Sequence, residues 1–412
     1  MKRIVSLLLL ATTSSFLFAQ KTPSDSVLFT LDLLNRTRTE LHAAYHEPSD
    51  KERPSSLFVS QRAQVGLRVQ YGRLATYLCL QDGRLWGGAN GSTSLLEGWT
   101  EYQSNIGNFC LGRQTIQIAD GWLFMAGRYG KTGLSHDALR YSLLRPSYDI
   151  LAYAMVNALS EKNTPYKRDK AHNYKYMTLL RARFFQSFGG LAVVDVSQDL
   201  IHTLRTYPRF TLGGFVEKLP TELLSLHLEA YYQTGSTYDV ANKLKRSIAA
   251  YSLHSKLLTR TKFPCGIGLD WVSGDEKDDL AQGKQHHFDR LSGSGHAFFG
   301  TMDYFSLALS EVAGHGLRDY SLWLYTPKYK GHTGECSLHT FQQDKGEASI
   351  LGYELDLKYT YTLSTNFRIE AVYGLFYATA AYQQEVRPTT AHWGHFGYVS
   401  VQYAPRFSWT MK

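Results

Sequence analysis

The chain lacks most of the features by which protein classes announce themselves. Beyond the N-terminus it holds no apolar run near the roughly 18 residues that a membrane-spanning helix needs. That excludes a helical membrane protein, and the mean hydropathy of −0.28 agrees. Basic residues are dispersed singly, without the like-charge runs of a nucleic-acid-binding tail. A net charge of +8 therefore points to an anionic surface or solute, and no nucleic-acid partner is expected. The four cysteines, Cys79, Cys110, Cys265 and Cys336, are far apart with no C-x-x-C spacing. They indicate no zinc site and read as small packing residues, although an oxidising compartment would allow two disulfides. No repeat of about 20–50 residues, no linker and no second domain divide the chain. A glycine-rich phosphate loop at a strand-to-helix junction is also missing, and no cofactor is implied.

What is present is alternation. Tyr353-Glu-Leu-Asp-Leu-Lys-Tyr-Thr-Tyr361 places Tyr, Leu, Leu, Tyr and Tyr on one face of a strand and Glu354, Asp356, Lys358 and Thr360 on the other. The pattern recurs along most of the 412 residues, at the roughly 9–11 residues that a tilted strand needs to cross a bilayer. Aromatic residues make up 14% of the chain, which suits girdles at two membrane interfaces. Counted from Val27–Leu41 to Phe396–Phe407, the pattern predicts about 18 strands (16–18) in a single all-β, antiparallel, up-and-down transmembrane barrel. Tyr71-Gly72 reads as a short periplasmic turn, and Gly87–Ser94 as an outer loop. Asp120–Thr132 is irregular and is expected to fold into the lumen. Ser273–Leu317, rich in Gly, Asp and His, is the longest stretch without alternation and is expected to form an outer loop or constriction.

Met1-Lys2-Arg3, the apolar Ile4–Leu10 and a mixed tail ending Phe18-Ala19-Gln20 form a signal peptide over residues 1–20, leaving 21–412 as the barrel. An exported barrel belongs in a Gram-negative outer membrane, with the lipid of that membrane around it.

The charged face would then line the bore. The candidate lumen set is Arg62, Arg68, Arg84, Glu97, Glu101, Arg113, Asp137, Arg181, Arg183, Glu354, Asp356, Lys358, Arg368 and Glu370. Rings of fixed charge select ions, and guanidinium groups hold carboxylates in bidentate pairs. For any one residue, pairing across a wet lumen explains the charge as well as selection does. Arg113 shares parity with Phe109 and Leu111, so a bulge at Gly112 is needed to turn it inward. Arg181 and Arg183, two apart on one face, are the sharpest local signal. Enzyme signals are weaker: Gly133-Leu-Ser135-His136 lacks the strand-turn-helix context of a nucleophile elbow. His286, His287 and His296 near Asp275, Asp278, Asp279 and Asp289 read as a solvated loop before a metal site.

Several short stretches together resemble the alginate-export (AlgE-like) outer-membrane porin family in its Bacteroidetes form. They are Phe58-Val-Ser-Gln-Arg62, Leu80-Gln-Asp-Gly-Arg-Leu-Trp-Gly87, Glu97-Gly-Trp-Thr-Glu101, Leu111-Gly-Arg-Gln114, Gly133-Leu-Ser-His-Asp-Ala138, Tyr231-Tyr-Gln-Thr-Gly235, Ser273-Gly-Asp275, Gly300-Thr-Met-Asp-Tyr-Phe305 and Gly316-Leu-Arg-Asp319. The resemblance implies an 18-strand porin with an arginine-rich lumen that passes an anionic solute, small or polymeric, such as an alginate-like polysaccharide or oligosaccharide. It also leaves room for a periplasmic export partner. The chain departs from the family at its end, where Phe407 and Trp409 stand back from the terminus, and in the Trp122–Tyr129 region. Two other readings stand beside a channel: a barrel enzyme such as a lipid hydrolase, and a structural or adhesin barrel plugged by Ser273–Leu317.

Overall fold

The computed structural model describes residues 26–43, 55–88, 91–127, 129–157, 174–198, 206–221, 223–239, 244–293, 295–305, 314–386 and 391–412. The signal peptide expected at 1–20 lies outside them. One antiparallel sheet closes on itself. Its strands are Val27–Ala43, Ser56–Tyr71, Leu74–Leu85, Ser92–Ser104, Gly107–Gln114, His136–Leu144, Tyr148–Val156, Tyr176–Phe184 and Phe188–Gln198, then Thr206–Pro220, Leu224–Asp239, Leu244–Thr259, Cys265–Val272, Leu317–Tyr325, His332–Gln343, Ile350–Ser364 and Phe367–Ala378. The last strand is Trp393–Tyr403 continued by Arg406–Met411. Both pieces pair with the first strand in one register, Asn35 opposite Tyr403 and Asp32 opposite Arg406, across a break at Pro405. Among the described residues this makes 18 strands in the barrel wall, as the alternation predicts, and the two-residue Lys284–Gln285 adds a short parallel pairing to Leu244–Thr259. Pairing of the first strand with the last leaves no open edge, which a bilayer requires because lipid cannot satisfy backbone groups.

The faces are inverted relative to a soluble protein. Leu67, Leu78, Leu111, Leu180, Leu322 and Tyr353 are exposed on the outside, whereas Arg38, Glu101, Arg181, Asp195, Glu229 and Asp319 are buried facing the bore. The apolar rows therefore meet lipid, and the barrel is of the outer-membrane kind. Phe29 stacks on Trp409 across the closure with ring centroids 5.5 Å apart, so the aromatics set back from the terminus serve the outer belt. Tight turns such as Tyr71–Leu74 and Ser104–Gly107 join strands at one end, and longer connections gather at the other. The cysteines are free thiols: Cys79 and Cys110 are buried, Cys265 and Cys336 are not.

Candidate functional site: the lumen

The described residues of both irregular stretches enter the bore. They lock together through a parallel bridge between Phe124 and Ser292, where Met125 N–H donates to Ser292 O at 3.0 Å and Ser292 N–H to Leu123 O at 3.0 Å. Gly293 is needed there: a Cβ would stand 2.1 Å from Trp122 O. Trp122, Phe124, Phe299, Met302 and Phe305 are wholly buried and pack against Phe341, Phe376 and Phe396 of the wall. Phe305 sits 4.6 Å from Phe341, and Tyr304 stacks on Phe376 at 4.0 Å. The bore is thus not ionic throughout. Along one arc the inner loops bury an apolar seam against the wall, because long loops carrying this much aromatic surface must cover it somewhere.

Charges on the wall hold these loops. Glu354 accepts from Met302 N–H at 2.8 Å, and Asp356 from Thr301 N–H at 3.1 Å. Gly300 passes so close that a Cβ would meet Glu354 Oε1 at 2.4 Å. Across the closure, on the first two strands, Arg62 donates to Gly127 O at 2.8 Å, and Arg36 to Tyr129 O at 2.8 Å and Gly130 O at 2.7 Å. Arg38 lies over the Tyr129 ring at 4.1 Å. Outside the spanning strands, the Asp275 carboxyl is raised by burial, but bonds from His287 and from the backbone N–H groups of His286 and His287 outweigh this and hold it below its ordinary range.

The barrel register lines up cations that are remote in sequence. Arg36 stands directly opposite Arg62 on one side and Gln402 on the other, and Gln402 stands opposite Arg368. Arg62, Arg36 and Arg368 therefore form a lateral row across four strands. Like charges in direct register destabilise a sheet, so the row calls for a reason beyond packing. Arg36, Arg38, Lys256, Lys358 and Arg368 line a cavity of about 500 Å³ below the inner loops, together with Asp120, Asp270, Glu335, Asp356 and Glu370.

The remaining candidates fall into three groups. Bases share acids inside the bore: Arg140 and Arg68 reach Glu101 at 2.7 and 4.0 Å, and Lys358 and Arg368 reach Glu370 at 3.6 and 3.9 Å. Arg181 and Arg183 lie on one face, and both bind Asp149; Arg183 also holds Glu217 at 2.8 Å. Glu97 faces inward and accepts from Trp99 Nε1 and Thr115 Oγ1, each at 2.8 Å.

Two expectations are corrected. Arg113 and Asp137 lie on the outer face, with side chains 41% and 56% exposed, as a cross-strand pair at 2.7 Å. The ladder runs unbroken through Gly98–Arg113 and Trp99–Gly112, so no bulge resets the parity. Arg84 is also outside, half exposed and bonded to Asp82 at 2.6 Å, because it shares parity with the outward Leu78 and Leu80.

Sequence reasoning missed Arg140, Asp149, Asp195, Arg209, His254 and Asp270. All sit at inward parity within strands, so extending the alternation test to each strand would have found them. It also missed the inner seam, whose signal is Trp122-Leu-Phe124 and Phe298-Phe299 inside otherwise polar loops.

No family model and no curated protein matches the chain. Solved structures do match in fold. OpdK of Pseudomonas aeruginosa, solved with vanillate, aligns at a TM-score of 0.61 and 10% identity, covering 92% of this chain and 99% of that one. OccAB3 of Acinetobacter baumannii gives 0.62 and 10%, with coverage of 92% and 99%. OccK8 (OprE) of P. aeruginosa gives 0.60 and 11%, covering 93% and 98%. These similarities carry the outer-membrane porin fold, and not the alginate-export likeness of the short motifs.

Proposed function

We propose that the protein is a channel of the outer membrane passing small anionic solutes, carboxylates above all. The carrying observation is the row Arg62, Arg36 and Arg368 beside a cavity of about 500 Å³. Guanidinium groups in a narrow, partly dry passage attract carboxylates more strongly than in bulk water and can hold them bidentately. Sharing one acid between two bases, as at Glu101 and Glu370, leaves positive charge along the bore. Vanillate, carried by one structural neighbour, belongs to the same solute class.

A uronate oligosaccharide or alginate-like polymer is the longer version of this solute. A polymer would have to displace the two inner loops, so the seam they bury favours the short one. Among the described residues, a hydrolase reading has one arrangement to rest on: Ser337 Oγ, His339 and Asp319, with bonds of 3.1 and 2.8 Å. There His339 Nε2 also lies 3.7 Å from Asp356, so the imidazole is clamped between two carboxylates, which suits a buried ion pair better than a general base.

The test is conduction in planar bilayers under a salt gradient, with blockade by carboxylates of increasing length. Anion-selective conductance blocked by monocarboxylates is expected. A silent bilayer would favour the plugged structural barrel, and blockade only by long uronate chains would favour polymer passage.

A further inference from the structure

The first inner loop sets Asp120 against His227 and His254, which face the bore from the strands Leu224–Asp239 and Leu244–Thr259. One ligand-type atom from each of the three residues lies within 4.8 Å of the other two. The imidazoles are 5.1 Å apart between centroids. His227 has Asp120 Oδ2 at 3.4 Å from Nδ1 and Glu229 Oε1 at 3.1 Å from Nε2. His254 bonds Asp270 through Nδ1, which leaves Nε2 as its nitrogen for another partner, and it stacks on Trp122 at 5.2 Å.

Each imidazole thus has a carboxylate on one ring nitrogen and a second position on the other. Metal-binding histidines have this arrangement, because the outer carboxylate fixes tautomer and ring orientation and raises the basicity of the ligating nitrogen. The charge balance points the same way. Asp120, Glu229 and Asp270 gather here against Arg290 and Lys256, an excess of acid in a largely buried place. Both histidines are buried, while the Asp120 side chain is half exposed, and Asp120, His254 and Asp270 border the lumenal cavity.

We propose that His227, His254 and Asp120 bind one divalent transition metal of the zinc type, reached from the cavity. Two nitrogens and one oxygen suit zinc and disfavour calcium or magnesium, which take all-oxygen shells. Ligand atoms around tetrahedral zinc stand roughly 3.3 Å apart for bonds of about 2.0–2.1 Å. Asp120 Oδ2 already stands 3.4 Å from His227 Nδ1, and the atom pairs that lie further apart, all within 4.8 Å, need small rotations of the three side chains to reach that spacing. Three protein ligands leave a fourth position for water or a solute carboxylate.

The test is a titration of the full barrel in detergent with zinc chloride by calorimetry, and with cobalt(II) by visible absorption. It reads binding without conduction, so it stands or falls separately from the channel reading. One equivalent at micromolar affinity or tighter is expected. Asp120→Asn, isosteric and on a loop, should weaken it by about tenfold or more, and His254→Gln should abolish it. Asp279→Asn, in the separate Asp275–Asp279–His286 cluster, should leave it unchanged. Heat-modifiable electrophoretic mobility reports whether each variant is folded, and Asp120→Asn alone decides the matter if His254→Gln is not. No saturable binding to the wild-type barrel, or binding lost in Asp279→Asn and kept in folded Asp120→Asn, would overturn the proposal.

Discussion

Two pairs of arginines face the bore and meet different surroundings there. Arg181 and Arg183 both clamp Asp149, and Arg183 adds Glu217, so their charge is absorbed by neighbouring strands. Arg36 and Arg62 stand opposite one another, donate to the carbonyls of an inner loop, and continue the row to Arg368 beside the cavity. The first pair is mortar in the wall, and the second is placed where a solute would pass. Parity assigns a residue to a face; register and loop placement decide what it meets there.

The comparison breaks most visibly at Asp149. Asp149→Asn leaves two guanidinium groups without their shared carboxylate in a buried place, and removing one partner of a buried ion pair costs about 3–5 kcal/mol. Urea titration of the barrel in lipid vesicles should show a loss of that order, against about 1 kcal/mol for Arg36→Gln, whose bonds go to carbonyls near the cavity. Equal losses would mean that the two pairs do the same job.

Selectivity sharpens the comparison next. Arg36→Gln with Arg368→Gln should lower the anion-to-cation permeability ratio severalfold, read as reversal potential under a salt gradient. The wild-type preference should itself weaken as salt rises and screens the field. Arg181→Gln is expected to move the reversal potential much less, because Asp149 already answers that charge.

The faces of the strands were legible because period-two alternation states which rows meet lipid, and all 18 strands could be read that way. Lateral neighbours were not. Register depends on turn length and on irregularities such as those at Cys79/Leu80, Val216/Leu219 and Phe341/Gln342, and one slipped residue changes every partner beyond it. Thus Arg181 and Arg183 could be seen to share a face, while Asp149 could not be seen between them. The bulge invoked at Gly112 shows the reverse error: parity alone placed Arg113 correctly, and an added irregularity moved it to the wrong side.

A smaller effect is expected from acid. In the second inner loop Asp275 is bonded by His287 and by two backbone N–H groups, and its carboxyl titrates below the ordinary range. A depressed acid pKa contributes stability above the unfolded-state value, and that contribution is lost as pH falls through the lower folded value. The loop should therefore loosen only below about pH 4, seen as faster amide exchange around His286 and His287. Asp275→Asn should show the faster exchange already at neutral pH. Equal exchange in Asp275→Asn and the wild type at neutral pH would overturn this assignment.

The least effect should come from Arg113→Gln, and that makes it the sharpest control. The same residue type that is proposed to steer solute at Arg368 stands here outside the wall, 41% exposed and paired with Asp137. Exposed ion pairs contribute about 0–1 kcal/mol. The site lies at the end of its strand nearest the long loops, where a barrel's outer face meets headgroups, and losing a charge there costs about as little. Folding stability should change by less than about 1 kcal/mol, with no shift in reversal potential, because the sheet stands between Arg113 and the bore. A shift comparable to that of Arg368→Gln would mean that Arg113 reaches the lumen, and the unbroken ladder through Gly112 would have to be given up.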